Sequence, residues 1–108
     1  MSRHVLSPHA DLARSRRLAI VAGWDGPLQT FFCQVQDLSY DENDARHDVL
    51  WRGCAWQEVL NVDEIIEALA PWAATPLCLR DALLADQAAD RRGAKPPVLA
   101  AIESLLAR

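Results

Sequence analysis

Leu18 to Asp37 read LAIVAGWDGPLQTFFCQVQD, two apolar-rich runs hinged on Asp25-Gly26-Pro27. The first run, residues 18–24, is short and apolar and holds the β-branched pair Ile20-Val21, which favours a strand. The second, Leu28 to Asp37, alternates. Phe31, Cys33 and Val35 share one face, and Thr30, Gln34 and Gln36 share the other with Leu28 and Phe32. A period of two with one polar face predicts a half-buried antiparallel strand. Asp-Gly-Pro supplies turn chemistry, so the two runs predict a β-hairpin with a three-residue connection.

Residues 38–47 (LSYDENDARH) read as a polar loop, and Asp48 to Arg52 as a third strand closed by Gly53. Sequential strands usually pair, which gives a meander with the second run in its centre. The first run is then an edge. Leu18 to Gly23 carry no charge and no proline, so nothing in them blocks pairing. Either His4-Val5-Leu6 folds back as a fourth strand, or a second chain pairs there. Residues 1–17 are otherwise mixed. Ser7-Pro8 reads as an N-cap and first helical position for a short helix to about Ser15, with a basic arm as the alternative.

Helical grammar follows the strands. Asn61 is a good N-cap, Glu64 falls at the capping-box position, and Leu60 can staple onto Ile65. Ile65, Ile66 and Leu69 face inward, and Pro71 ends the helix. Thr75-Pro76 opens a second helix over 76–91 with Leu77, Leu84 and Ala88 on one stripe, Leu83 beside it and Gly93 as its C-terminal stop. Pro96-Pro97 opens a third to about Ala107, with Val98, Ile102 and Leu105 on its inner stripe and Leu99 and Leu106 flanking. Strands followed by helices predict one α+β domain over residues 1–108: a three- or four-stranded antiparallel meander with about three helices packed on one face.

The 108 residues are 51% hydrophobic and 24% charged, which argues for a packed core. No apolar run reaches the length of a membrane span, and residues 1–17 hold no secretory h-region. Three cysteines, Cys33, Cys54 and Cys78, are an odd set without a C-x-x-C pair. They predict buried free thiols in a reducing, cytoplasmic setting. Ten of eleven basic residues are Arg, in keeping with a GC-rich bacterial coding sequence.

Net charge is −4, but unevenly spread. Residues 1–17 hold four Arg against Asp11, and residues 18–74 hold ten acids against Arg46 and Arg52. The acidic centre is a poor surface for duplex phosphates and suits a basic protein partner. Asp41-Glu42-Asn43-Asp44 invites a calcium reading, but an EF-hand count from Asp41 puts Ala45, Arg46 and Arg52 where an oxygen ligand, Gly and Glu belong. No metal and no cofactor is therefore expected. G-x-S-x-G and glycine-rich phosphate loops are missing, and only His4, His9 and His47 are at hand for proton transfer. The candidate residues are those of an interaction surface: Trp24, Asp25, Asp41, Glu42, Asp44 and Trp56. Trp is the residue most favoured at binding hot spots, and the chain has four, the others being Trp51 and Trp72.

The stretch Ile20-Val21-Ala22-Gly23-Trp24-Asp25-Gly26-Pro27-Leu28-Gln29-Thr30-Phe31-Phe32 resembles short uncharacterised proteobacterial proteins with a Gly-Trp-Asp-x-Pro-Leu-x-x-Phe-Phe hairpin. The resemblance extends through Leu50-Trp51-Arg52-Gly53, about a third of the chain. It implies the hairpin and, for some members, travel on mobile elements. It carries no activity and so no functional residues.

Three function classes follow. The first is a non-catalytic acidic interaction or regulatory module, acting as a monomer or homodimer. The second is a small enzyme built on a Cys/His pair, for which Cys54 and His47 are the candidates. The third is an anti-defence protein that mimics nucleic acid through clustered carboxylates. The missing catalytic grammar favours the first.

Overall fold

The computed structural model describes residues 2–92. Four strands, β1 (His4–Leu6), β2 (Leu18–Asp25), β3 (Thr30–Asp37) and β4 (Asp48–Arg52), form one antiparallel sheet in the order β1-β2-β3-β4. Helices α1 (Ala10–Ser15), α2 (Val62–Leu69) and α3 (Leu77–Arg92) complete the α+β fold. The helix expected over Pro96 to Ala107, and Gly93 as a helix stop, lie outside the described residues.

The β2–β3 ladder runs without interruption from Leu18↔Asp37 to Asp25↔Thr30. Its alternation sorts the sheet into two faces. Leu6, Ile20, Val35 and Leu50 stand opposite one another across the four strands and face the core. One residue along, Val5, Val21, Gln34 and Trp51 form the corresponding row on the outer face. A bulge in β4 between the Val35 and Gln36 partners leaves Val49 as the extra residue, and both Val49 and Leu50 pack on the core.

The edge of β2 is closed by the chain's own N-terminus. His4, Val5 and Leu6 pair with Ala22, Val21 and Ile20. Ser2 extends the pairing, its N–H donating to the Trp24 carbonyl and its hydroxyl accepting from the Trp24 N–H. With the strand taking His4–Leu6, Pro8 sits in an extended link that bridges Ala73, and α1 starts at Ala10 behind His9. The Ser7 cap is thus displaced by two residues. His9 fixes the link instead, its N–H donating to Trp72 O and its ring bonding Ala70 O at 2.7 Å.

The hairpin connection is longer than the sequence suggested. Gly26 to Gln29 form it, so Leu28 and Gln29 belong to the turn and not to β3. Asp25 accepts from the Leu28 N–H, Gln29 N–H returns to Gly26 O, and Gln29 takes a φ of 50°. The Gln29 side chain steadies that left-handed residue by donating to Gly26 O and to Asp90 of α3.

α2 and α3 cover the core face. Phe31, Cys33 and Val35 of β3 and Ile20, Ala22 and Trp24 of β2 pack against Val59, Val62, Ile65, Leu69, Leu79 and Leu83. Two expected contacts differ. Leu60 is exposed and Val59 takes the buried position ahead of α2, so the staple onto Ile65 does not form. Leu77 is fully exposed and Leu79 takes the inward place at the start of α3, while Leu83 is buried and Leu84 packs against the core as expected. Two acids of α3 also meet the sheet: Asp86 meets the His4 ring at 2.7 Å, and Asp90 accepts from the Trp24 indole N–H at 3.0 Å. These polar clamps hold the second half of α3, where the stripe runs out of leucines.

Asn61 caps α2 by accepting from the Asp63 N–H at 2.9 Å. Asn61→Ala should therefore lower stability by about 1 kcal/mol, as loss of an N-cap does. Denaturant midpoints of the two proteins measure it; coincident curves would show that the cap contributes nothing.

Candidate functional site

The six sequence candidates fall in three places. Trp24 lies on the core face at 3% exposure, its ring edge-on to Phe31 with centroids 5.0 Å apart. It is a structural residue of the hairpin. Asp25 and Trp56 lie at the hairpin end of the sheet, and Trp56 is 61% exposed. Asp41, Glu42 and Asp44 lie in the β3–β4 loop at the far end, a strand of eight residues or about 25 Å away.

That loop is organised by its own side chains. Asp41 accepts from the Asn43 N–H, and Asp44 accepts from the Arg46 N–H, Nε and Nη2. Those bonds from Arg46 hold the Asp44 carboxyl down at about 2. The Arg46 guanidinium also stacks 4.3 Å from the Tyr40 ring centre. Of the remaining acids of the centre, Asp37 pairs with Arg16, Glu58 with Arg52 and Asp63 with Arg80. The Asp37 carboxyl is held low, first by the Ser39 N–H and then by Arg16. Four of the ten acids in residues 18–74 are thus paired with arginines.

Cys54 and His47 are not brought together. They flank opposite ends of β4, about 20 Å apart for the residues between them. The His47 ring bonds the Tyr40 carbonyl, and the Cys54 thiol donates to Glu58 at 3.7 Å. Cys54 and Cys78 are both exposed, so only Cys33 behaves as the buried thiol expected of all three. Burial pushes Cys33 up to about 11 and leaves it inert. Among the described residues, no group of three or more His, Cys, Asp or Glu is placed to hold a metal ion.

A concave feature of the described residues lies on the outer face at the hairpin end. It is an open cleft of about 220 Å³ lined by Arg3, Asp25, Leu28, Phe32, Gln34, Trp51, Gly53 and Cys54. Two glycines seat the Phe32 side chain that lines it. A Cβ at Gly23 would meet the Phe32 ring at 2.7 Å, and one at Gly53 would meet the Phe32 Cα at 2.7 Å and collide with the Phe31 carbonyl oxygen. The Phe32 ring therefore lies flat across β2, while β4 leaves the sheet through Gly53 at a φ of 82°. Glu58 locks that exit by accepting from the Gly53 N–H at 2.7 Å, the main reason its carboxyl is held below the usual range. Trp51, 55% exposed, forms one wall. Trp56 adjoins, since the N–H of its neighbour Gln57 donates to the carbonyl of Leu28 on the rim.

Of the six candidate interaction residues, Asp25 lines this cleft. Cys54, the candidate thiol of the Cys/His reading, also lines it, whereas Arg3, Leu28, Phe32, Gln34 and Gly53 carry no functional signal in the sequence. The signal for Trp51 was there: it is the outward position beside inward Leu50, an aromatic residue where alternation calls for a polar one. No family model, curated protein or solved structure matches the chain. Among the described residues, no helix is long and apolar enough to cross a membrane.

Proposed function

We propose that the chain is a non-catalytic protein-interaction module whose docking surface is the outer-face cleft around Phe32 and Trp51, with Trp56 beside it. The exposure of two tryptophans around an apolar floor carries this reading. Large aromatics left half-open at a concave site are the usual anchors of protein interfaces. The site offers one cation, Arg3, and one carboxylate, Asp25, to orient a partner, and an apolar floor to take its anchoring side chain. The pairing of Asp44 with Arg46 supports a smaller role for Asp41, Glu42 and Asp44, as charges that raise the rate of encounter with a basic partner.

The test is retention of host proteins on the immobilised full chain and on its variants. A protein held by the parent should be lost by roughly thirtyfold or more with Trp51→Ala, the loss typical of a hot-spot tryptophan. Asp41→Asn with Glu42→Gln should leave equilibrium retention nearly unchanged. Retention that survives Trp51→Ala and disappears with the acid substitutions would move the function to the opposite end of the sheet.

A further inference from the structure

We infer that the outer-face cleft receives a lysine side chain of the partner, with its stem laid on Phe32 beside Trp51 and its ammonium on the open oxygen of Asp25. The inference rests on the cleft as the docking surface and names the chemistry of what docks there. Three observations carry it.

The first is an unspent carboxylate oxygen. Alternation along β2 turns Trp24 to the core and Asp25 to the outer face, and Asp25 lines the cleft although it is only 9% exposed. Its Oδ1 accepts from the Leu28 N–H and closes the turn. Its Oδ2 has no hydrogen-bond or ion-pair partner among the described residues. No fully enclosed side-chain polar atom of those residues lacks a partner, so Oδ2 is an oxygen that opens to the cleft. A carboxylate withdrawn this far from water gains strongly from a cation that reaches it.

The second is spacing. Phe32 stands across from Gly23, where the missing Cβ lets its ring lie over β2. Asp25 is two residues farther along the same face, about 7 Å away. An apolar surface that ends at one anionic oxygen at this distance matches lysine, whose flexible four-carbon stem carries a compact ammonium. Trp51 walls this path on the β4 side and covers the stem. Arginine fits less well. Its planar fork pairs best with both oxygens of a carboxylate, and Oδ1 is already engaged.

The third is charge. The neighbouring carboxylates are spent: Glu58 holds the Gly53 N–H and pairs with Arg52, and Asp90 holds the Trp24 indole and the Gln29 amide. Arg3 lines the cleft but is exposed, and among the described residues it makes no ion pair with Asp25. It is a water-screened competitor at the rim and leaves the Asp25 oxygen open. The net charge of −4 favours the approach of a basic segment.

The test follows the Trp51 indole N–H by NMR while the full chain is titrated with end-blocked tripeptides, alanine-X-alanine, with X lysine, arginine, norleucine or glutamate. The lysine peptide should bind about ten times more tightly than the norleucine one, the gain of one charge-assisted hydrogen bond. Asp25→Asn keeps an oxygen for the Leu28 N–H and removes the charge, so it should erase that preference. Arg3→Gln should raise the lysine affinity about twofold, as loss of a screened like charge does. An unchanged Trp24 indole signal certifies that each variant is folded. If Asp25→Asn does not fold, the peptide series on the parent and on Arg3→Gln decides alone. Equal binding of the norleucine peptide overturns the inference and leaves an apolar docking surface in place. Arginine binding as tightly as lysine overturns it, because Oδ1 would then be available. Preference for glutamate, weakened by Arg3→Gln, overturns it in favour of an acidic segment on Arg3. A Trp51 signal that moves with none of the peptides also overturns it, and the Trp51-dependent retention of a host protein is then decided by its own experiment.

Discussion

Trp24→Ala should destabilise the fold by about 3–5 kcal/mol, the range for deleting a buried large aromatic. The side chain is 3% exposed and packs edge-on against Phe31, at the point where the hairpin meets α3. Two losses add. The ring leaves a cavity between β2 and the helices, and the Asp90 carboxylate loses the indole N–H that it shares with the Gln29 amide. Against a total of about 5–15 kcal/mol for a domain, this is a large fraction. For about 90 ordered residues it corresponds to a drop of roughly 15–30 °C in melting temperature. Trp24→Phe separates the two losses, because it keeps most of the ring and removes only the indole donor. It should cost far less, on the order of 1 kcal/mol for the hydrogen bond. A Trp24→Ala protein that melts with the parent would mean that the hairpin does not lean on α3.

Sequence pattern was informative where one physical rule acted alone. The alternation of Phe31, Cys33 and Val35 has a single explanation, and the ladder places all three at the core with no exposure. Asn61 at the start of α2 is similarly local, since a cap needs only the residues beside it. Rules failed where two of them competed. Ser7-Pro8 is good helix-start grammar, but His4–Leu6 is worth more as a strand on an open edge, and the chain then reaches α1 only at Ala10. Leu77 lost to Leu79 because the inward face of α3 is chosen by the β1–β2 surface beneath it, where His4 and Trp24 offer partners to Asp86 and Asp90. Helical periodicity alone cannot distinguish those two phases.

The site was harder to see for a related reason. Its residues come from the N-terminal link, the hairpin turn, β3, β4 and the loop after it, and only register joins them. The count of ten acids in residues 18–74 implies a charged surface, yet Arg16, Arg46, Arg52 and Arg80 come from four separate elements to pair with four of them. Two of those cations lie outside the acidic stretch. Linear charge density is therefore a poor guide to surface potential when long-range pairs can form.

Removing residues 1–8 should convert the protein from its native assembly state to a self-associating one. The arm does two separable jobs. Leu6 is buried at 7% exposure, and its loss costs about 2–5 kcal/mol as for other core leucines. The backbone of Ser2 to Leu6 also pairs with β2 along Ile20 to Trp24, satisfying groups that would otherwise line an open edge. That edge has no charge, proline or bulge to discourage a second chain. β4, the other edge, is protected differently, by Asp48 and Arg52 at its ends and by the bulge at Val49. Leu6→Ala isolates the first job: it should lower the melting temperature while leaving the sedimentation behaviour of the parent unchanged. The truncated chain should instead sediment faster as concentration rises, because only it exposes the β2 backbone. If the truncated chain keeps the parent's sedimentation coefficient at every concentration while melting lower, the arm is a source of core burial alone, and the β2 edge is harmless when open.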